Sequence, residues 1–282
     1  MLLMRMSFLK ERPVAPQRST SESDVPQTVI LERPTSGVAV LRFNRPERLN
    51  AINGVMVAEL MASLAELGAD STVKVVVMTG AGRGFCSGID VRDFGPGMLD
   101  ATAPAIDRLR FQEAMAALPQ AIRAIPQPVI AAVNGPCVGA GLALCLAADI
   151  RICSAAAIFG NAAILLGLSG AEMGMSYHLP RIVGTSVAAD WMITGRTVSA
   201  EEADRRALVS EVVEPDRLSG RVLELAVQIA GLAPLGVQLT KRALQVNTDS
   251  SDLASAIELE NRNQVLTHAT DDAAALRQKW AT

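Results

Sequence analysis

Aromatic side chains are scarce: six Phe, two Trp and one Tyr among 282 residues. So few rings leave no stacking signature to read. Charge is equally uninformative as an attractant, because a formal net charge of −3 offers no basic surplus for a nucleic-acid partner. Any anionic ligand has to be held by individual arginines and backbone N–H groups. Histidine occurs twice, and the four cysteines (Cys86, Cys137, Cys145, Cys153) show no CxxC spacing, which argues against a zinc site or a disulfide framework and for a reducing cytoplasm. Half the residues are hydrophobic, yet no uninterrupted apolar run approaches the roughly 20 residues of a membrane span. No GxGxxG with an acidic residue at the dinucleotide distance occurs, which removes the dehydrogenase reading of the glycines. Met1 to Leu9 is too short and interrupted for a signal segment, and 1–26 reads as a disordered tail rich in Pro, Ser, Thr and Arg.

What the chain does have is concentrated in Pro128 to Asp149, PVIAAVNGPCVGAGLALCLAAD. A β-branched apolar run meets a glycine-rich turn and then an Ala-rich helix. Gly139, Ala140 and Gly141 would let a ligand approach free N–H groups at the helix start, where the dipole favours developing negative charge. Val75 to Asp93 (VVVMTGAGRGFCSGIDVRD) repeats the plan, with a buried strand, four glycines and a polar segment. Two strand ends with bare N–H groups could face one substrate oxygen.

Around these stretches the periodicity predicts a hairpin over Thr28–Leu31 and Val38–Phe43, a helix capped by Asn53, a strand over Val73–Thr79, and a helix over Leu109–Ile125. Further strands are expected at Ile150–Cys153, Ile158–Phe159 and Val209–Val213. A helix is expected from about Glu172, a capping box at Ser199 and Glu202, and helices from Leu218 onward. Alternating strands and helices indicate an α/β fold with ligands at the strand C-terminal ends.

Together with Asn44 to Ile52 (NRPERLNAI), the two glycine stretches resemble the enoyl-CoA hydratase/isomerase (crotonase) superfamily in order and spacing. The resemblance runs from about Val29 to the C-terminus. It implies a crotonase-like core of repeated ββα units over 27–215. It also implies a C-terminal helical region over 216–282 that packs on other subunits in a homotrimer or a dimer of trimers. The implied substrate is an acyl-CoA, with coenzyme A as part of the substrate and no separate cofactor or metal. Carried over by motif, the backbone N–H groups of Ile89 (in Gly88-Ile89-Asp90) and Ala140 (in Gly139-Ala140-Gly141) form an oxyanion hole for the thioester oxygen. The resemblance also places Arg48 and Lys241 near coenzyme A phosphates, and Ser87 and Val91 beside the adenine.

The catalytic acids depart from the hydratase pattern. The two glutamates that similar hydratases use fall here at Ala143 and Ala163, neither of which can move a proton, whereas hydration calls for a pair of carboxylates in different environments. One acid remains nearby, Glu172, aligned on Leu179-Pro180-Arg181 with an Asp of dienoyl-CoA isomerase-like members. In so apolar a segment its pKa should be raised, which suits a base that shuttles one proton between carbons. The competing reading makes Glu172 an N-terminal helix residue favoured by the dipole. Tyr177 and His178 would line the pocket of a thioester hydrolase or decarboxylase of the same fold. Asp93 and Glu113 read as solvated, Asp149 as a backbone tie, and Met98, Leu99 and Met115 as an apolar pocket wall or core. The expectation is therefore an enzyme isomerising a double bond through a stabilised enolate. The alternative is an acyl-CoA-binding protein that has lost its acids.

Overall fold

The computed structural model describes residues 27–93 and 104–280. The expected tail, Met98, Leu99 and most of the loop Asp90–Ala103 lie outside the described residues. Elsewhere the hydrophobic pattern becomes two sheets and ten α-helices. The larger sheet contains β1 (Val29–Thr35), β2 (Val38–Phe43), β3 (Val75–Gly80), β4 (Val129–Val133), β6 (Ile150–Ser154) and β9 (Glu211–Val213), in the order β1-β2-β3-β4-β6-β9. Only β1 and β2 pair antiparallel, as a hairpin; every later neighbour is parallel. The smaller sheet pairs β5 (Cys137–Val138) with β7 (Ile158–Gly160), and β7 with β8 (Val198–Ser199). β5 and β8 were not anticipated, since two residues carry no readable alternation.

Parallel strands are expected to be apolar on both faces. On one face Leu41, Met78, Ala131 and Val133 join the main core with α1 (Gly54–Ala69), α2 (Ala105–Ala124) and α3 (Ala140–Ala147). On the other, Val75, Val77, Ile130 and Ile152 meet Leu218, Val222 and Ala226 of α7 (Leu218–Ala230). Thus α7, which a division at residue 216 groups with the C-terminal helices, covers one face of the sheet. Between α3 and α7 lie α4 (Met175–Val183), α5 (Thr185–Thr194) and α6 (Ala200–Arg205). After α7 come α8 (Pro234–Asn247), α9 (Leu253–His268) and α10 (Asp271–Trp280). No residue of α9 is buried, and Leu244, Leu253, Val265 and Leu266 present apolar side chains to the outside.

Local signals account for most boundaries. The Asn53 side chain accepts from Met56 N–H at 2.9 Å and Ser199 Oγ from Glu202 N–H at 3.2 Å, so both helix starts are capped as expected. The Glu202 carboxylate, however, turns to Arg196 rather than back to the cap. The helix expected from Glu172 begins instead at Met175, because Met173 and Gly174 take φ of 48° and 82°. Among the described residues no single helix is long and apolar enough to cross a membrane.

Candidate active site

β3 and β4 end side by side, with Thr79 in register with Ala132, and both deliver glycine-rich turns to the same end of the sheet. Two asparagines hold the first turn open. Asn50, fully buried at φ 58°, accepts from Arg45 N–H and donates to the Ala81 and Gly84 carbonyls. Asn134 accepts from Gly80 N–H and donates to Gly82 and Gly84. Neither residue was singled out by sequence reasoning, although Asn50 sits within the NRPERLNAI motif.

The next segment runs as a ribbon against that motif. Ile52 N–H donates to Gly88 C=O and Asp90 N–H to Ile52 C=O, both at 2.8 Å, while Ser87 donates through N–H to Leu49 C=O and through Oγ to Arg48 C=O. Because a trans peptide points its C=O and N–H in opposite directions, Ile89 N–H faces away from Ile52. Gly88, at φ 103°, abuts the second turn: a Cβ there would lie 3.7 Å from the Ala140 nitrogen. Ala140 is the first residue of α3, so its N–H has no acceptor within the helix. Among the described residues neither Ile89 N–H nor Ala140 N–H has a hydrogen-bond partner. The structure therefore brings Ser87, Gly88, Ile89, Asp90, Gly139, Ala140 and Gly141 together.

Close packing makes Gly141 irreplaceable. A Cβ on it would stand 2.2 Å from the Cys86 carbonyl oxygen, a backbone atom that cannot swing aside. Gly141→Ala is expected to lose about 2 kcal/mol or more of stability, read as the urea midpoint at constant m-value, and to weaken acyl-CoA binding with it. An unchanged midpoint would mean that the turns are looser than described.

The acids and bases divide clearly. Ala143 and Ala163 are buried methyl groups with no ionisable function. Glu172 is mostly buried, lies three residues before α4, and has no hydrogen-bond or ion-pair partner among the described residues. Burial alone raises its pKa above the ordinary carboxylate value. Flanking Met173 and Met175 are buried in the same cluster as Ala140 and Ala143, so the segment carrying Glu172 is rooted beside α3. It is not a first-turn helix residue. Asp90 behaves oppositely: burial opposes its charge, but Arg45 and the N–H groups of Arg92 and Asp93 hold its pKa below the usual range.

Other candidates are committed elsewhere. The Tyr177 hydroxyl donates to Asp249, and Arg181 lies 3.7 Å over its ring while pairing with the same carboxylate. Burial first, then the charges of Arg123, Arg151 and Arg181, lowers the His178 pKa to about 4, so the imidazole is neutral at physiological pH. Burial pushes the Cys86 and Cys153 thiols up to about 12, which leaves no thiolate nucleophile there. Met115 is core, Glu113 is exposed, and Asp93 is exposed but held by Arg45 and Asn53. Arg48 is exposed with no partner for its guanidinium among the described residues, and Val91 is exposed beside it on the same ribbon.

Lys241 requires correction as a coenzyme A contact. It is buried, its Nζ lying 3.0 Å from Asp149 Oδ2 and 2.8 Å from Gln127 C=O, while Asp149 also accepts from Val129 N–H. These groups stand where β4 and β6 begin, at the opposite end of the sheet from the turns. Lys241 is the cation of a structural pair, and Asp149 ties the backbone as expected. Among the described residues no group of three or more His, Cys, Asp or Glu could hold a metal.

Comparison with known proteins follows the same lines. The family model described as Enoyl-CoA hydratase/isomerase matches residues 33–280. A Mycobacterium bovis protein named a probable enoyl-CoA hydratase is 42% identical over 255 residues, covering 88% of this chain and 89% of that protein. The 1,2-epoxyphenylacetyl-CoA isomerase of Escherichia coli is 35% identical over 244 residues, covering 86% and 91%. Among solved structures, a monofunctional enoyl CoA isomerase from M. smegmatis superposes with a TM-score of 0.70 at 39% identity, covering 82% of this chain and 99% of that one.

Proposed function

Since the chain belongs to the enoyl-CoA hydratase/isomerase family, we propose that it moves a double bond in an acyl-CoA thioester by a single-carboxylate proton shuttle. The thioester oxygen sits between Ile89 N–H and Ala140 N–H, which are preorganised to bind the charge that develops there. Glu172 takes a proton from the α-carbon of a 3-enoyl thioester, the electron pair delocalises into the bound oxygen as a dienolate, and the same carboxyl returns the proton to the γ-carbon. One proton leaves, one is delivered, and a conjugated 2-enoyl thioester results. Coenzyme A is bound as part of the substrate, with Arg48 placed to meet a phosphate.

The observation that carries this reading is Glu172 itself: desolvated, without a partner, and with its pKa raised by burial. Carboxylates that merely stabilise a fold are normally paired or hydrogen-bonded when buried. Ala143 and Ala163 favour isomerisation over hydration, because a water nucleophile would have no carboxylate pair to orient and deprotonate it. The apolar side chains left outward on α8 and α9 support self-association, for which a homotrimer or a dimer of trimers is the proposed form.

The test is a spectrophotometric panel of crotonyl-CoA, a 3-enoyl-CoA and a 3,5-dienoyl-CoA, run beside an acyl-CoA binding titration. Turnover of either isomerase substrate with weak hydration of crotonyl-CoA is expected. Tight binding without turnover of any substrate would replace this reading with that of a carrier or sensor of acyl-CoA.

A further inference from the structure

Resting on the oxyanion reading above, we infer that Arg45 is a positioning residue: its guanidinium staples the two-stranded ribbon that aims Ile89 N–H at the substrate oxygen. Arg45 lies in the NRPERLNAI motif, and its side chain is only 11% exposed. Nη1 reaches both sides of the ribbon at once. It donates to Ala51 C=O at 2.5 Å on one strand and to Asp90 Oδ2 at 2.9 Å on the other. Those residues immediately flank the Ile52–Ile89 bridge. Nη2 continues outward to Asp93 Oδ2 at 2.8 Å, which Asn53 Nδ2 also contacts at 3.0 Å.

The geometry transmits directly to the N–H. Asp90 follows Ile89, and its carboxylate accepts from the Arg92 and Asp93 N–H groups, so the turn after Ile89 is wound around a carboxylate that Arg45 holds. Rotation of the Gly88–Ile89 peptide would break the Ile52 N–H bond to Gly88 C=O and drag Asp90 away from Arg45. The guanidinium never touches the substrate position; it acts through the peptide plane. A lysine cannot replace it, because a single ammonium has no planar fork with which to meet Ala51, Asp90 and Asp93 in one geometry.

The test uses the full-length protein and a conjugated aryl-enoyl-CoA, whose absorbance moves to the red when its thioester carbonyl is polarised on binding. Arg45→Lys should bind this probe within about threefold of wild type, lose most of the red shift, and lower kcat about tenfold or more on the isomerase substrate, since small misplacements of a reacting group carry large rate effects. Asp90→Asn, which retains the acceptor for the Arg92 and Asp93 N–H groups, should move both readouts in the same direction even if Arg45→Lys proves hard to fold. Asp93→Asn, which loosens only the outer contact, should keep most of the shift. A full red shift and undiminished kcat in Arg45→Lys or Asp90→Asn would overturn the positioning role alone. No red shift in wild type would overturn the oxyanion reading, and the positioning role with it.

Discussion

Glu172→Gln should lower isomerase turnover by about 10²- to 10⁴-fold while leaving acyl-CoA affinity within a few-fold of wild type. The amide preserves shape and cannot accept and return a proton. In wild type the acid limb of kcat/KM reports the free enzyme's base, and because burial raises the Glu172 pKa, activity should begin to fall at a higher pH than an ordinary carboxylate would dictate. The same substitution should stabilise the fold. A carboxyl whose pKa is raised in the folded state holds its proton more tightly than the unfolded chain does. Its contribution is fully present below the unfolded pKa and is lost as pH rises through the folded one. At neutral pH Glu172→Gln is therefore expected to melt above wild type, and the difference should vanish at acid pH. Such an exchange of stability for activity is what an active-site base in an apolar setting produces. Equal melting temperatures at neutral pH would show that Glu172 is solvated and would weaken its role as base.

The second large effect belongs to the other end of the sheet. Lys241→Met should destabilise the fold by about 3 kcal/mol, because it leaves Asp149 with its charge largely desolvated and Gln127 C=O without its donor. Asp149 retains only Val129 N–H, and its side chain is 20% exposed, which places the effect near the lower end for a broken buried pair. Denaturant unfolding measures it directly. The double substitution Lys241→Met with Asp149→Leu should recover much of the loss, since replacing both partners by apolar groups removes the uncompensated charge. If Lys241 instead bound coenzyme A phosphate, Lys241→Met would raise KM and leave the unfolding midpoint alone.

The contrast between Lys241 and Glu172 shows what the chain discloses before it folds. β-branched runs, turn glycines and caps made β1 to β4, α1 and α3 legible, because their determinants are local. The pairing of the two glycine turns was legible through their repeated plan, and Gly88 and Gly139 do meet. Arg45, Asn50 and Asn134 were not, since each is defined by tertiary partners: Arg45 by Asp90 and Asp93, forty-five and more residues away. Lys241 misled for the same reason. A lysine on an amphipathic helix looks like a surface cation, and only its approach to Gln127, 114 residues earlier, shows that it is buried. The Glu172 helix start was missed because a positive φ at Met173, a non-glycine residue, leaves no mark in composition.

The most direct measurement follows a 3-enoyl-CoA by proton NMR with wild type and Glu172→Gln side by side. The single-carboxylate shuttle predicts conversion by wild type to the 2-enoyl-CoA with no 3-hydroxyacyl-CoA accumulating, and no conversion by the variant. Accumulation of 3-hydroxyacyl-CoA with both proteins would contradict it, placing the proton carrier elsewhere and the chemistry in hydration.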